Sequence, residues 1–498
     1  MKKNIKMLFL ASLVFTACTK NEDTASTNPL DQPLTAGSAN FSKFVSLGNS
    51  LTSGYSDGAL FKQGQQNCFP KILADQFALV GGGAFTIPFT NDNVGGLTFG
   101  GTVIQPARLY FTGSSSSPVG VASGLPTTEI LSTLTGPFNN MGVPGAKSFH
   151  MIAAGYGNAS GVPSGAANPY FVRFRSSATA SMLGDAAAQN PTFFSLWAGN
   201  NDVLSYASSG GIGVDQTGNS ASPSTYGGND ITDPTTFAGI YNTLVNGLTA
   251  GGAKGVVANI PYVNTLPLFT TVPFNALPLS SAQATALNSG YASYNAGLQA
   301  AKNANIITET ERLSRTINFV AGQNPLVIVD EYLSSVVLGP TITLPKYRQT
   351  TSLDYVLLFS GGMSTQAHIQ AGNGSQFPLA DKWVLTKNEV SEVKTATDAY
   401  NATIKSVAMA KNLAFVDANS TLSQVATAGG YSFGSNYVLT STYVTGGGFS
   451  MDGVHPSARG YALIANKFFE AINLKYGSNF RPVDLGKYQI QYPAVLPN

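Results

Sequence analysis

Ser50 stands in Gly48-Asn49-Ser50-Leu51-Thr52-Ser53-Gly54-Tyr55, directly behind the apolar run 41–47, FSKFVSL. A hydroxyl at the carboxyl end of a buried strand is placed where an α/β sheet binds its ligand, so it is a candidate nucleophile; the same placement also suits a helix N-cap. A serine nucleophile needs a base, and the base needs an acceptor that fixes its tautomer. His455, in Asp452-Gly453-Val454-His455-Pro456, has a carboxylate three residues before it. Asp452 can reach across that turn to the imidazole nitrogen facing away from the serine; the alternative is a loop histidine with a capping aspartate. The other two histidines, His150 and His368, have no carboxylate close in sequence. Acyl transfer also requires donors for a developing oxyanion. Gly145, in Asn140-Met141-Gly142-Val143-Pro144-Gly145, can offer an unobstructed backbone N–H, and Asn201, in Gly199-Asn200-Asn201-Asp202, a side-chain amide.

These residues must be held by regular elements. Besides 41–47, the runs 191–198 (PTFFSLWA), 255–260 (GVVANI) and 413–417 (LAFVD) are predicted strands. Helical spacing is predicted over 70–79, 234–250, 386–411 and 456–476. Strands alternating with helices imply parallel βαβ units and a three-layer α/β/α core with a mostly parallel sheet. Two stretches break the rhythm and are predicted insertions: Gly-, Ser- and Pro-rich loops over 81–137, and 266–385, which contains a long predicted helix (281–316) and a strand (326–330).

In order along the chain, GNSL (48–51), NMGVPG (140–145), GNND (199–202) and DGVH (452–455) resemble the four blocks of the SGNH, or GDSL-type, hydrolase superfamily. The resemblance implies a flavodoxin-like sandwich and a serine esterase or lipase acting through an acyl-enzyme. Ser50 would be the nucleophile, His455 the base and Asp452 its orienting carboxylate. The oxyanion hole would be the Ser50 N–H, Gly145 and Asn201, with Gly142 the alternative in the second block. It implies no metal and no organic cofactor. Asn49 stands where the family carries Asp, and an amide can keep the hydrogen bonds of that loop. The same resemblance admits a polysaccharide O-acetyl esterase, and the scaffold alone admits a non-catalytic binding lipoprotein.

Composition narrows the partners. The 498 residues hold 27 Lys+Arg, 25 Asp+Glu and three His, a balance with no footprint for nucleic acid. Two cysteines and three histidines exclude a Cys- or His-rich metal cluster. Residues 1–17, with three lysines before an uncharged run, form a predicted signal peptide. Phe15-Thr16-Ala17-Cys18 resembles a lipobox, which implies a lipid on Cys18, a membrane anchor and a place in the bacterial cell envelope, as an outer-membrane lipoprotein that could be surface-exposed. Residues 18–40 read as a polar, disordered tether, and the hydrolase domain as 41–498. Without the leader 24 basic residues face 25 acidic ones. Cys68 is then a lone thiol, expected to be buried.

Overall fold

The computed structural model describes residues 32–114, 119–219, 221–360, 363–434 and 437–497. The leader, Cys18 and the tether as far as residue 31 lie outside the described residues. The chain divides into 1–34 and a packed unit from Thr35 to Asn498. Composition alone put the end of the tether at residue 40. Within the packed unit, however, the Thr35 N–H donates to Asn479 Oδ1 (2.7 Å), the Ser38 N–H donates to the Tyr476 carbonyl (2.8 Å) and Ala39 is buried. Backbone hydrogen bonds, not side-chain hydrophobicity, tie these polar residues down.

Five strands form the central sheet: β1 (Phe44–Gly48), β2 (Asn140–Gly142), β3 (Phe193–Trp197), β4 (Lys254–Ala258) and β5 (Ala414–Val416). All pair in parallel, and from one edge they lie in the order β2-β1-β3-β4-β5. This is the flavodoxin-like order, in which the chain reverses direction between β1 and β3 and leaves a crevice at their carboxyl ends. Every residue of β1 and β3 is buried, as strands covered on both faces require. The short β2, three residues of an Asn-Met-Gly run, carries too weak an apolar signal to be read as a strand.

The sheet is covered by α2 (Phe69–Ala78) and α7 (Ala458–Tyr476) on one face and by α4 (Pro234–Thr249) and α6 (Lys387–Ala410) on the other; two helices at the crevice, α1 (Ser50–Ser53) and α3 (Asn201–Ser208), follow β1 and β3. Side chains two and four apart on a strand share a face. Accordingly Phe193 packs on Phe77 of α2 (ring centroids 5.7 Å) and Trp197 on Phe468 of α7 (6.1 Å). Across the sheet Phe237 of α4 stacks on Tyr400 of α6 at 4.2 Å. The caps explain where the helices begin: Asp233 accepts from the Thr236 N–H before α4, and Ser457 from the Gly460 N–H before α7. The helices expected over 234–250, 386–411 and 456–476 therefore differ from those found by two residues or fewer at either end. Cys68 is buried, with Asn140 Nδ2 at 3.5 Å from its sulfur, and burial pushes its thiol up to about 12.

The insertions differ more from expectation. The 81–137 stretch holds two antiparallel pairs, Leu97–Phe99 with Thr102–Gln105 and Leu109–Phe111 with Val119–Val121. The helix predicted over 281–316 is two, α5 (Ser281–Asn303) and Glu309–Arg315. Asn305, at φ 57°, turns the chain between them, a left-handed conformation that no helix continues through. The run 326–330 does supply a strand, Val327–Val329, but it pairs antiparallel with Tyr347–Gln349 outside the main sheet. Among the described residues no helix is long and apolar enough to cross a membrane.

Candidate active site

The crevice at the reversal between β1 and β3 is where the sequence-derived residues meet. β1 ends at Gly48, and Asn49 caps α1, its Oδ1 accepting from the Leu51 N–H at 3.0 Å. Capping is thus done by Asn49, which leaves the Ser50 hydroxyl uncommitted to the helix end. Asn49 Nδ2 in turn donates to Asn200 Oδ1 (3.0 Å), joining the loop after β1 to the loop after β3.

Ser50, Gly145, Asn201 and His455 line one open cleft, together with Tyr55 and Asn168. As the first residue of α1, Ser50 has no intrahelical partner for its N–H. The Gly145 N–H is likewise unspent among the described residues. Gly145 sits at φ 79°, and an added Cβ would have only Asn168 Nδ2 within 4 Å, so no side chain or backbone crowds it on that side. Gly142 is placed differently. Its N–H is spent on Asn140 Oδ1 (3.0 Å), and a Cβ there would fall 2.3 Å from the Ser53 nitrogen; the glycine lets α1 lie against β2. Asn201 Nδ2 donates one hydrogen to the Ala146 carbonyl (2.9 Å), which orients the amide and leaves its second hydrogen for the cleft. The adjacent Asn200 is held by Asn49 instead.

The loop carrying Gly145 is anchored by two side chains whose importance was not legible beforehand. Buried Asp202 accepts from the Ser148 N–H (2.8 Å) and hydroxyl (2.7 Å); burial raises its carboxyl, opposed by those hydrogen bonds. Asn168 Nδ2 donates to the Pro144 carbonyl at 2.8 Å, while its Oδ1 caps the helix Pro169–Val172. Only the Asn-Pro pair, a helix-start signal, marked Asn168 in the sequence.

His455 lies between Asp452 and the cleft. Its Nδ1 is 2.9 Å from Asp452 Oδ2, and its ring packs against Tyr55 at 4.6 Å. Asp452 receives three further donors: the Val454 and His455 N–H groups at Oδ1 (2.8 Å each) and the Gly58 N–H at Oδ2 (2.9 Å). Burial works to raise this carboxyl, yet the charge and hydrogen bond of His455 with the backbone donors outweigh it and hold it at about 2. Asp452 is therefore an anion that fixes hydrogen on Nδ1 and turns Nε2, as an acceptor, away from itself. No hydrogen bond joins Ser50 to His455 among the described residues; both line the cleft, and such contacts are commonly long before substrate binds. His150 instead accepts from the Lys147 N–H, and His368 packs on Trp383, so neither is poised as a base here.

Residues 55–58 clasp the histidine loop. Besides the Gly58 contact, the Asp57 N–H donates to Ser450 Oγ (3.0 Å), the Met451 N–H to Asp57 Oδ1 (2.9 Å) and the Tyr461 hydroxyl to the Tyr55 carbonyl (2.7 Å). Asp57 Oδ2 is buried with no partner, and burial, against the Met451 hydrogen bond, pushes the carboxyl up to about 7. The Asp-Gly pair at 57–58 was visible only as a turn signal.

Ser50, Asn201 and His455 also border a second, apolar cleft, whose walls include Leu51, Trp197, Val203, Ile260, Leu266 and Phe449, around a cavity of ≈ 50 Å³. The serine thus sits where a polar, donor-bearing cleft meets an apolar one. The groups that acyl transfer requires thus line one cleft: a hydroxyl, an imidazole hydrogen-bonded at Nδ1 to a carboxylate, and N–H donors.

No family model and no curated protein sequence matches the chain. Three solved structures are similar at low score. One is LAE5, an alpha/beta hydrolase enzyme from the metagenome of Lake Arreo, Spain (11% identity, TM-score 0.31, covering 87% of this chain and 96% of that one). The second is a mutant of Axe2, an acetyl-xylooligosaccharide esterase from Geobacillus Stearmophilus (10%, TM-score 0.30, covering 88% and 96%). The third is an extracellular lipase from Streptomyces rimosus (11%, TM-score 0.27, covering 86% and 98%).

Proposed function

We propose that the chain is a serine ester hydrolase of the SGNH type. The observation that carries this reading is the convergence of Ser50, Gly145, Asn201 and His455 on one cleft, with ionised Asp452 on the far nitrogen of the imidazole. His455 Nε2 takes the Ser50 proton as Oγ attacks the ester carbonyl. The negative charge moves to the carbonyl oxygen, where the N–H groups of Ser50 and Gly145 and the Asn201 amide receive it. Collapse expels the alcohol, protonated by His455. Water, deprotonated by the same imidazole, then attacks the acyl-serine and releases the acid. The apolar walls of the second cleft support a hydrocarbon acyl group as the part of the ester bound beside Ser50.

A fluorophosphonate probe tests the nucleophile. The folded protein is expected to be labelled once, and Ser50→Ala not at all; equal labelling of both, or none of the native protein, refutes the assignment. A p-nitrophenyl ester series from acetyl to decanoyl tests the acyl pocket. Activity confined to acetyl would favour a deacetylase, and total inactivity with an unlabelled serine a binding protein. The N-terminal pattern supports a lipid anchor on Cys18 in the cell envelope. Mass spectrometry of the mature N-terminus is expected to find a diacylglyceryl cysteine, absent in Cys18→Ala.

A further inference from the structure

Outside the ester site, Glu331, Asp381 and Glu389 bring one carboxylate oxygen each within 4.8 Å of one another. They come from three segments: the end of the strand pair in the 266–385 insertion, the turn Asp381–Trp383, and the first turn of α6. Glu389 is fully buried; one of its oxygens accepts from the Thr386 N–H (2.6 Å), and the other, Oε1, has no hydrogen-bond partner. Asp381 Oδ1 is also buried without a partner. Among the described residues no Lys, Arg or His pairs with any of the three carboxylates. The nearby Arg348 is spent on Asp330 and Asp354, and Lys346 Nζ donates to the Glu331 backbone carbonyl; against burial, its charge helps to lower the Glu331 carboxyl without an ion pair. Gly211 closes the site from the side of α3: a Cβ there would stand 2.1 Å from Glu389 Oε1.

Unpaired buried carboxylate oxygens must be met by protons or by a cation. We infer that Glu331, Asp381 and Glu389 form a binding site for a hard divalent cation of the Ca²⁺ kind. Ca²⁺ accepts an irregular set of protein oxygens, whereas Mg²⁺ dehydrates reluctantly and usually keeps several waters, which a site walled by a fully buried glutamate does not favour. The ion would tie the insertion and α6 to the Gly210-Gly211 turn that ends α3, the helix that begins with Asn201. Scarcity of Cys and His says nothing about such a site, because all its ligands are carboxylates. The competing solution is shared protons: burial and then the Glu331 carboxylate raise Asp381 to about 8 and Glu389 to about 9 when no cation is present.

The test uses the full mature chain, freed of metal by chelator. Tyr332 follows Glu331 directly and Trp383 shares the turn of Asp381, so bound Tb³⁺ is expected to luminesce on excitation of the protein, saturating at one ion per chain and displaced by Ca²⁺. Ca²⁺ at roughly a hundred times its Kd is expected to raise Tm by a few degrees. Glu331→Gln, whose side chain is exposed, and Asp381→Asn are each expected to weaken Ca²⁺ at least about tenfold, since affinity follows ligand charge. Unchanged circular dichroism and unchanged labelling of Ser50 would show that the variants fold. No saturable binding, or binding that survives both substitutions, overturns the inference. A Tm that ignores Ca²⁺ but rises in Glu331→Gln at pH 8 also overturns it, and assigns the cluster to shared protons.

Discussion

Asp452→Asn is the sharpest probe of the site, because the carboxylate has no spare acceptor. Its two oxygens receive four donors: the N–H groups of Val454 and His455 at one, and the Gly58 N–H and His455 Nδ1 at the other. An amide has one acceptor oxygen. If Nδ2 replaces Oδ1, two backbone N–H groups lose their acceptor. If it replaces Oδ2, the Gly58 N–H is orphaned and the imidazole must accept at Nδ1, which puts its hydrogen on Nε2, where it cannot take a proton from Ser50. Two unsatisfied donors cost roughly 1–3 kcal/mol each in the buried limit. The wrong tautomer costs about four orders of magnitude in kcat in a serine triad. Folding carries a pH signature as well. A carboxyl moved from 3.8 to about 2 favours the native state by roughly 2 kcal/mol above pH 4, and that contribution disappears as pH falls through 2. The assay is p-nitrophenyl ester hydrolysis at pH 8 beside thermal denaturation at pH 2–7. Asp452→Asn is expected to lose at least about a thousandfold in kcat, with KM little changed, and to lack the stability gain that the wild type shows between pH 2 and 4. A kcat within tenfold of wild type would show that Asp452 does not orient the base.

Further outcomes follow from the same geometry. Asn201→Ala removes one oxyanion donor and is expected to lower kcat about 10²–10³-fold at nearly constant KM; a loss under fivefold would remove Asn201 from the oxyanion hole. Asp57→Asn keeps an acceptor for the Met451 N–H and tolerates φ 54°. Because the folded state holds the Asp57 proton up to about pH 7, wild-type stability falls as pH rises from about 4 to 7. The uncharged amide of Asp57→Asn carries no such penalty, so the variant's Tm is expected to exceed that of wild type at pH 8 and to match it near pH 4; the reverse trend would refute the burial argument. Asn49→Asp puts a carboxylate beside Ser50, which can accept from the Leu51 N–H and from a turned Asn200 amide. Ester hydrolysis within a few-fold of wild type is expected, and a hundredfold loss would show that the Asn49–Asn200 amide pair is required.

Much of this arrangement is local and was therefore legible in the sequence. The runs that become β1, β3, β4 and β5 announce themselves by apolar content, and α4, α6 and α7 by their period and caps, because those signals need no distant partner. The Asp452–His455 pair is legible for the same reason: a three-residue turn brings the carboxylate to Nδ1. Other features depend on distant chain. Strand β2 is too short and polar to stand out, and exists because β1 offers it a parallel edge. The choice between Gly142 and Gly145 is settled partly within β2, where the Gly142 N–H is spent on Asn140, and partly by the approach of α1, which Gly142 alone has room for. The clasp between residues 55–58 and 450–461, and the meeting of Glu331, Asp381 and Glu389, join segments far apart in sequence. Residue types and their order determined which groups can do chemistry; the crossing of the chain between β1 and β3, and the packing of loops hundreds of residues apart, decided which of them meet. Hydrophobic period and caps are written over a few turns of chain, whereas the partner of a buried oxygen is set by whichever segment packs against it.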